Sequence, residues 1–247
     1  MAGHSKWANV QHRKKAQDAK RGKLFTKLIR EITVAARMGG PNPDLSPRLR
    51  LAIDRALNVN MPKDNIERAI KRGAGTDELD DYAEARFEGY GPAGVAIMAD
   101  CMSDNRNRTV SEIRYAFSKH GGNLGTDGCV AYLFRNQGVI VFPPRSNEGR
   151  ILEVALEAGA EDIADNDDGS LEVLTSPEHY QAVKQALEAA DLHPADAEIT
   201  MRPETTVLVG AEAGRKTLRL IEHLEDLDDV QNVYTNAEIH ESAYDEN

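Results

Sequence analysis

Cysteine, tryptophan and long apolar runs are scarce in this sequence, and each shortage narrows what the chain can be. Its two cysteines, Cys101 and Cys129, stand far apart with no paired ligand spacing. That argues against a disulfide framework or thiolate metal site and for two small buried thiols in a reducing compartment. No apolar stretch approaches the roughly 20 residues needed to span a bilayer. The opening Met1-Ala2-Gly3-His4-Ser5-Lys6-Trp7 leads into basic residues rather than a signal-peptide core, so the expected location is the cytoplasm, with no membrane partner. Neither H-E-x-x-H nor G-x-S-x-G occurs, and His4, His12, His120, His179, His193, His223 and His240 have no local partner. Each is read as a surface or packing residue, and the chain as a non-enzyme with no cofactor and no metal.

Two glycine-containing stretches imitate binding motifs without their context. Gly89-Tyr90-Gly91-Pro92-Ala93-Gly94 has the letters of a dinucleotide loop but leads into a strand, where that chemistry needs a helix N-terminus. It is read as a turn. Asp165-Asn166-Asp167-Asp168-Gly169 lacks the bidentate glutamate of a calcium loop, because Thr175 falls at that position; it is read as a hairpin turn.

What the sequence does have is charge, unevenly distributed. The net charge of the 247 residues is −11, yet residues 1–73 hold 17 Lys or Arg against 6 Asp or Glu, a balance of +11, leaving −22 for the rest. Electrostatic fields act over a Debye length of about 8 Å at physiological salt, so the average conceals a cationic module joined to acidic ones. Such a module fits a polyanion.

Apolar spacing divides the chain further. Phe25, Leu28, Ile29, Ile32 and Ala36 recur at helical intervals until Gly39-Gly40-Pro41. Ser46 and Pro47 open a second helix with Leu49, Ala52, Ile53, Ala56 and Leu57 inward. A third starts near Pro62, buries Ile66, Ala69 and Ile70, and is expected to stop at Gly73 in a left-handed conformation. An acidic linker at 77–81 follows. Strand Val95 to Ala99, a helix with Thr109 and Glu112 as a capping box, and strand Val130 to Phe134 form one βαβ unit. The next block reads βαββαβ: Val139 to Phe142, Ile151 to Ala158, two strands joined at Asp168-Gly169, Pro177 to Ala190, and Ala197 to Met201. Thr206 to Val209, a helix with Leu218, Ile221 and Leu224, and a strand near Val233 complete the chain. The expected class is α+β, a three-helix domain over 1–79 followed by two ferredoxin-like α/β domains. One is discontinuous over 80–134 and 205–247, with the other, 135–204, inserted in it.

Cations lie opposite the apolar stripes, Lys23, Lys27, Arg30 and Arg37 on the first helix, Arg48 and Arg55 on the second, and Lys63, Lys71 and Arg72 on the third; of these Lys23, Lys27, Arg30, Lys63, Lys71 and Arg72 are the candidate nucleic-acid contacts. Ahead of them the candidates Lys6, Arg13, Lys14, Lys15, Lys20 and Arg21 form a basic arm or poorly anchored helix that orders on its partner. Trp7 either stacks on a base or pins the arm to the helices. Arg106 and Arg108, in Asp104-Asn105-Arg106-Asn107-Arg108-Thr109, flank a helix N-terminus; they contact phosphate or pair with nearby acids.

Several of these stretches also carry a resemblance. Met1 to Asn9, Gln17 to Lys23, Asn60-Met61-Pro62-Lys63-Asp64-Asn65-Ile66, Glu88 to Pro92, Asp104 to Thr109 and Gly121-Gly122-Asn123-Leu124-Gly125 resemble, in order, the signature stretches of the YebC family. Cys129 stands where serine is common in that family and Ala93 where glycine is frequent. The resemblance implies a helical bundle and two α/β domains, one inserted in the other, and a role in regulating gene expression. Family members are described as probable transcriptional regulators that bind DNA, and relatives as translational activators or ribosome-associated factors that relieve stalling. The implied partner is therefore DNA, or ribosomal RNA or tRNA on the ribosome. The residues themselves offer many phosphate contacts but no row of base-reading side chains on a helix-turn-helix, which physically favours RNA.

Overall fold

A computed structural model describes residues 21–75 and 82–243. Lys6, Trp7, Arg13, Lys14, Lys15 and Lys20 lie outside the described residues, as do the side chain of Arg21 and the acidic linker. Three helices come first: α1 (Arg21–Gly39), α2 (Pro47–Asn58) and α3 (Lys63–Ala74). Their inward stripes, Leu28, Ile32, Ala35 and Ala36, then Leu49, Ala52 and Ala56, then Ile66 and Ala69, close one core with Met61. The many alanines let the helix axes approach closely. Gly40, at φ +83°, ends α1, and Ser46 caps α2 by accepting from the Leu49 N–H with Pro47 in the first turn.

Gly73 does not end α3 in a left-handed turn. It lies buried inside the helix, where a Cβ would run into the carbonyl oxygen of Thr33 and the methyl of Ala36. The glycine is there for close helix packing, a demand its neighbours in sequence do not reveal.

The second body is built on a four-stranded sheet of order β3-β1-β2-β9. It comprises β1 (Ala83–Tyr90), β2 (Ala96–Ser103), β3 (Asn123–Leu124) and β9 (Val230–Thr235). Helices α4 (Arg106–Lys119) and α7 (Ala211–Asp226) cover one face, with Ile113, Phe117, Leu220 and Leu224 on Ile97, Ala99 and Val230. The first hairpin turns at Pro92–Gly94, where Ala93 takes φ 60°. That left-handed backbone costs about 1–2 kcal/mol for a residue with a Cβ.

Two expectations change here. Ala83–Tyr90 is a strand, so Gly89 and Tyr90 belong to the sheet and only Gly91 to Gly94 turn. Val130 to Phe134 is not a strand: Ala131–Leu133 form a 3-10 turn. The cause is Glu88, whose buried carboxylate accepts the N–H groups of Gly128, Val130 and Ala131 and so takes them out of any ladder.

The third body is the expected βαββαβ block: β4 (Phe134–Phe142), α5 (Glu148–Glu157), β5 (Asp162–Asp165), β6 (Leu171–Thr175), α6 (Tyr180–Ala189) and β7 (Asp196–Pro203). The strand order is β5-β6-β4-β7, every neighbouring pair antiparallel, which is the ferredoxin-like arrangement. Gly169, at φ +77°, makes the turn between β5 and β6. Strands β4 and β7 pair from Phe134↔Pro203 inward, so the chain enters and leaves this body side by side. It then returns through β8 (Val207–Val209), which pairs in parallel with β10 (Ala237–Ile239), to α7 and β9. Among the described residues no helix is long and apolar enough to cross a membrane.

Candidate nucleic-acid interface

The cations predicted for α1 do not lie on a free face. Lys23, Lys27 and Arg30 occupy positions i, i+4 and i+7, one stripe of the helix, and that stripe is laid against the end of α7. The Lys23 ammonium donates to the carbonyl of Asp226 at 3.2 Å and lies 3.6 Å from its carboxylate. Lys27 donates to the carbonyl of Glu225 at 2.5 Å. Arg30 donates to the carbonyls of Asp228 (2.8 Å) and Met102 (3.1 Å), sits 3.7 Å from the Asp229 carboxylate, and stacks 4.9 Å over the Tyr82 ring. Burial of Lys27 pushes its ammonium pKa down, and the neighbouring Glu225 and Asp226 only partly offset that. The last turn of a helix leaves carbonyls without intrahelical donors and carries the negative end of the dipole, so it is a ready cation acceptor.

Asp229 organises this junction. It is nearly fully buried and accepts from Ser103 Oγ (3.0 Å), Thr109 Oγ1 (2.7 Å) and Arg108 Nη2 (2.8 Å). Burial pushes its pKa up, but those three donors overcome the penalty and the carboxyl stays below its ordinary value. Arg108 is thus engaged with Asp229 and Asp104, the local-pairing reading of that motif. Thr109 is drawn away from capping: Asn105 is the N-cap of α4, accepting from the Arg108 N–H. Arg106 is exposed, with its guanidinium 5.9 Å from the Phe87 ring, and forms no ion pair among the described residues.

On α3 the picture is different. Lys63, Lys71 and Arg72 are all exposed and pair with no carboxylate among the described residues. The nearby Arg68 is held by Asn65 and by the Asp64 carbonyl. On α2, Arg48 pairs with Glu31 at 2.8 Å and Glu84 at 2.5 Å, and Arg55 with Glu198 at 3.5 Å. The structure therefore divides the predicted cations into a free set on α3 with Arg106, and an engaged set, Lys23, Lys27, Arg30 and Arg108, at the junction.

A cleft of about 960 Å³ opens between the helices and the two sheets. Many of its charged wall residues are paired, Arg86 with Asp100 at 2.6 Å and Arg202 with Glu172 at 3.2 Å beside the α2 pairs, and its lining carries more carboxylates than cations, which does not favour a polyanion. No group of three or more His, Cys, Asp or Glu able to hold a metal ion occurs among the described residues. Sequence reasoning missed Tyr82, Glu225, Asp226, Asp228 and Asp229 as partners of α1. The run Glu225-Asp226-Leu227-Asp228-Asp229 was the available signal: an acidic cluster beside a helix end, in a chain with a cationic helix of its own.

Comparisons with known proteins agree with this architecture. A model of the TACO1/YebC protein N-terminal domain matches residues 5–76, and one of the TACO1/YebC second and third domain matches 82–237. A relative from Halorhodospira halophila is 63% identical over 246 residues, spanning 100% of both chains. One from Coxiella burnetii is 60% identical over 243 residues, 98% of this chain and 100% of its own. Each is named "Probable transcriptional regulatory protein". The crystal structure of a conserved hypothetical protein from Aquifex aeolicus superposes with a TM-score of 0.79 at 49% identity, covering 93% of this chain and 95% of that one. With both of its parts matched in order along almost its whole length, the chain belongs to the TACO1/YebC family.

Proposed function

We propose that this protein is a non-enzymatic, cytoplasmic regulator of gene expression that binds nucleic acid through phosphate charge and shape. The observation that carries this reading is the exposed set Lys63, Lys71 and Arg72 on α3, which pairs with no carboxylate among the described residues. Elsewhere in the helical domain the described ion pairs take up cations with the protein's own carboxylates. The basic residues from Lys6 to Arg21 continue the same charge, with Trp7 as a stacking or anchoring residue. With Arg68, α3 carries four exposed cations against the two exposed acids Asp64 and Glu67, a net positive charge that a polyanion complements.

The relatives' names favour DNA as the ligand and transcription as the process. A structured RNA, ribosomal RNA or tRNA on the ribosome, is the second reading, favoured by α3 itself. Its exposed face interleaves Asp64 and Glu67 with the cations, and its one amide, Asn65, is engaged by Arg68, so no row of side chains is available for base edges. The deciding experiment measures affinity for genomic duplex fragments, random duplex and a ribosomal RNA hairpin at fixed salt. A fragment bound ~10³-fold tighter than random duplex establishes an operator and removes the RNA reading. Comparable duplex affinities with tighter hairpin binding remove the operator reading. No binding to any of them overturns the proposal.

A further inference from the structure

We infer that the acidic end of α7 is a built-in competitor for the nucleic-acid-binding face of α1, so that Lys23, Lys27 and Arg30 form a concealed phosphate site that opens when a polyanion displaces it. This rests on the reading above and adds its regulation.

The geometry is that of a ligand complex within one chain. Three cations in a single stripe each meet an anionic or carbonyl oxygen from the segment Glu225 to Asp229, at 2.5 Å for Lys27, 3.2 Å for Lys23 and 2.8 Å for Arg30. These are donor types that a sugar-phosphate backbone would use, and the segment presents main-chain carbonyls in its place, backed by the Asp226 carboxylate 3.6 Å from Lys23 and the Asp229 carboxylate 3.7 Å from Arg30. These contacts across the junction are polar, and the buried core of the three helices shares no residue with that beneath the first sheet. Its outer ion pair is half exposed, 53% for the Lys23 side chain and 42% for Asp226, and is open to salt and to competing anions. The free cations of α3 provide the first foothold, since α3 packs on α1 through Gly73. A polyanion held there is tethered to the same helical domain as the concealed stripe, which raises its effective concentration at the junction.

A closed junction reduces apparent affinity by the fraction of molecules that are open. The test is a release variant, Glu225→Gln with Asp226→Asn and Asp228→Asn, which removes the carboxylate attraction on Lys23 and Lys27 while leaving the main-chain carbonyls, Asp229 and every cation in place. Its control, Glu153→Gln with Glu157→Gln and Glu188→Gln, changes net charge equally on the inserted domain. Binding of a fluorescent RNA hairpin is measured against salt. The release variant should bind about tenfold tighter if about 10% of wild-type molecules are open. Its slope of log affinity on log salt should steepen by about 2 to 3 units, for three added contacts at ~0.7 to 0.9 each between single strand and duplex. The control should move neither quantity by as much.

Equal affinity and slope in wild type, release variant and control overturn the competitor and leave nucleic-acid binding intact. Absence of binding in all three overturns both readings. Should the release variant not fold, amide exchange on the wild-type protein decides: adding the hairpin should increase exchange in the segment from Glu225 to Val230, and a decrease or no change there overturns the inference.

Discussion

The Glu88 carboxylate receives the Val130 N–H at 2.8 Å across 42 residues of sequence, and with the N–H groups of Gly128 and Ala131 it converts a floppy glycine-rich connection into a fixed turn. Burial alone would push the Glu88 pKa up; the three main-chain donors, assisted by Arg86, bring it below the ordinary carboxylate value. A group whose pKa is depressed on folding stabilises the fold above its unfolded pKa, and that contribution is lost as pH falls through the folded value. Glu88→Gln should therefore lower stability by about 1–3 kcal/mol at pH 7, since it faces amide hydrogens toward donors. The gap to wild type should narrow below pH 4. Urea titrations at both pH values check this; a constant gap would show that the carboxylate's charge is not what holds the turn.

The packing of α3 on α1 gives a second expectation. Gly73→Ala places a methyl against the Thr33 carbonyl, which is backbone and cannot swing aside. A cost of about 1–3 kcal/mol is expected from this overpacking, although alanine is the better helix former in solution. Thermal unfolding followed by circular dichroism should show an earlier transition, and an unchanged or raised midpoint would contradict the close approach.

The free cations of α3 can be removed without touching a core. Lys63→Gln with Lys71→Gln and Arg72→Gln should leave thermal unfolding within about 1 kcal/mol of wild type while weakening nucleic-acid binding at least tenfold. The salt slope should become shallower by about 2 to 3 units on duplex DNA. Charge reversal at Lys23 and Lys27 is a poorer probe than the sequence suggests, because it also sets those side chains against the carbonyls and acids of α7.

His120 and His223 join α4 to α7 by a ring-to-ring hydrogen bond of 3.0 Å, which at least one neutral imidazole must supply. For His120, burial first, then the neighbouring imidazole and nearby cations, push the pKa below 6.5; for His223, burial first and then Lys119 do the same. The unfolded chain then takes up protons before the folded one. Stability is at its full value above 6.5 and declines as pH falls from 6.5 toward the folded values. Between pH 7.5 and 5.5 the urea midpoint of wild type should fall more than that of the variant His120→Gln with His223→Gln. Parallel behaviour would remove the pair as the cause.

How much of this was legible depends on whether the deciding force was local. Ser46 and Pro47 at the head of α2, the stop at Gly40, the turn at Gly169 and the βαββαβ order all come from short-range capping, conformational and periodic signals, and the structure has them where the residues place them. Gly73 was visible as a glycine but not as a packing residue, because the obstruction is Thr33, forty residues earlier. The strand Ala83–Tyr90 was hidden by its charges, Glu84, Arg86 and Glu88, which find partners in Arg48, Asp100 and the turn at 128–131 only after folding. The cationic character of the helical domain was plain, but the distribution of those cations between solvent and the α7 end was set by Glu225 to Asp229, about 200 residues away.

Strands β4 and β7 begin and end beside each other at Phe134 and Pro203, while β9, the edge of the first sheet, arrives only after them. On the ribosome, therefore, the inserted body has its whole sequence available before its host does. The host waits as a β1–β2 hairpin with one helix, its strand β2 lacking a neighbour until Val230 to Thr235 is made. Synthesis order thus leaves one flank of β2 without its strand from Ser103 until Val230 to Thr235 is made, which makes it the stretch most in need of shelter while the chain is being added.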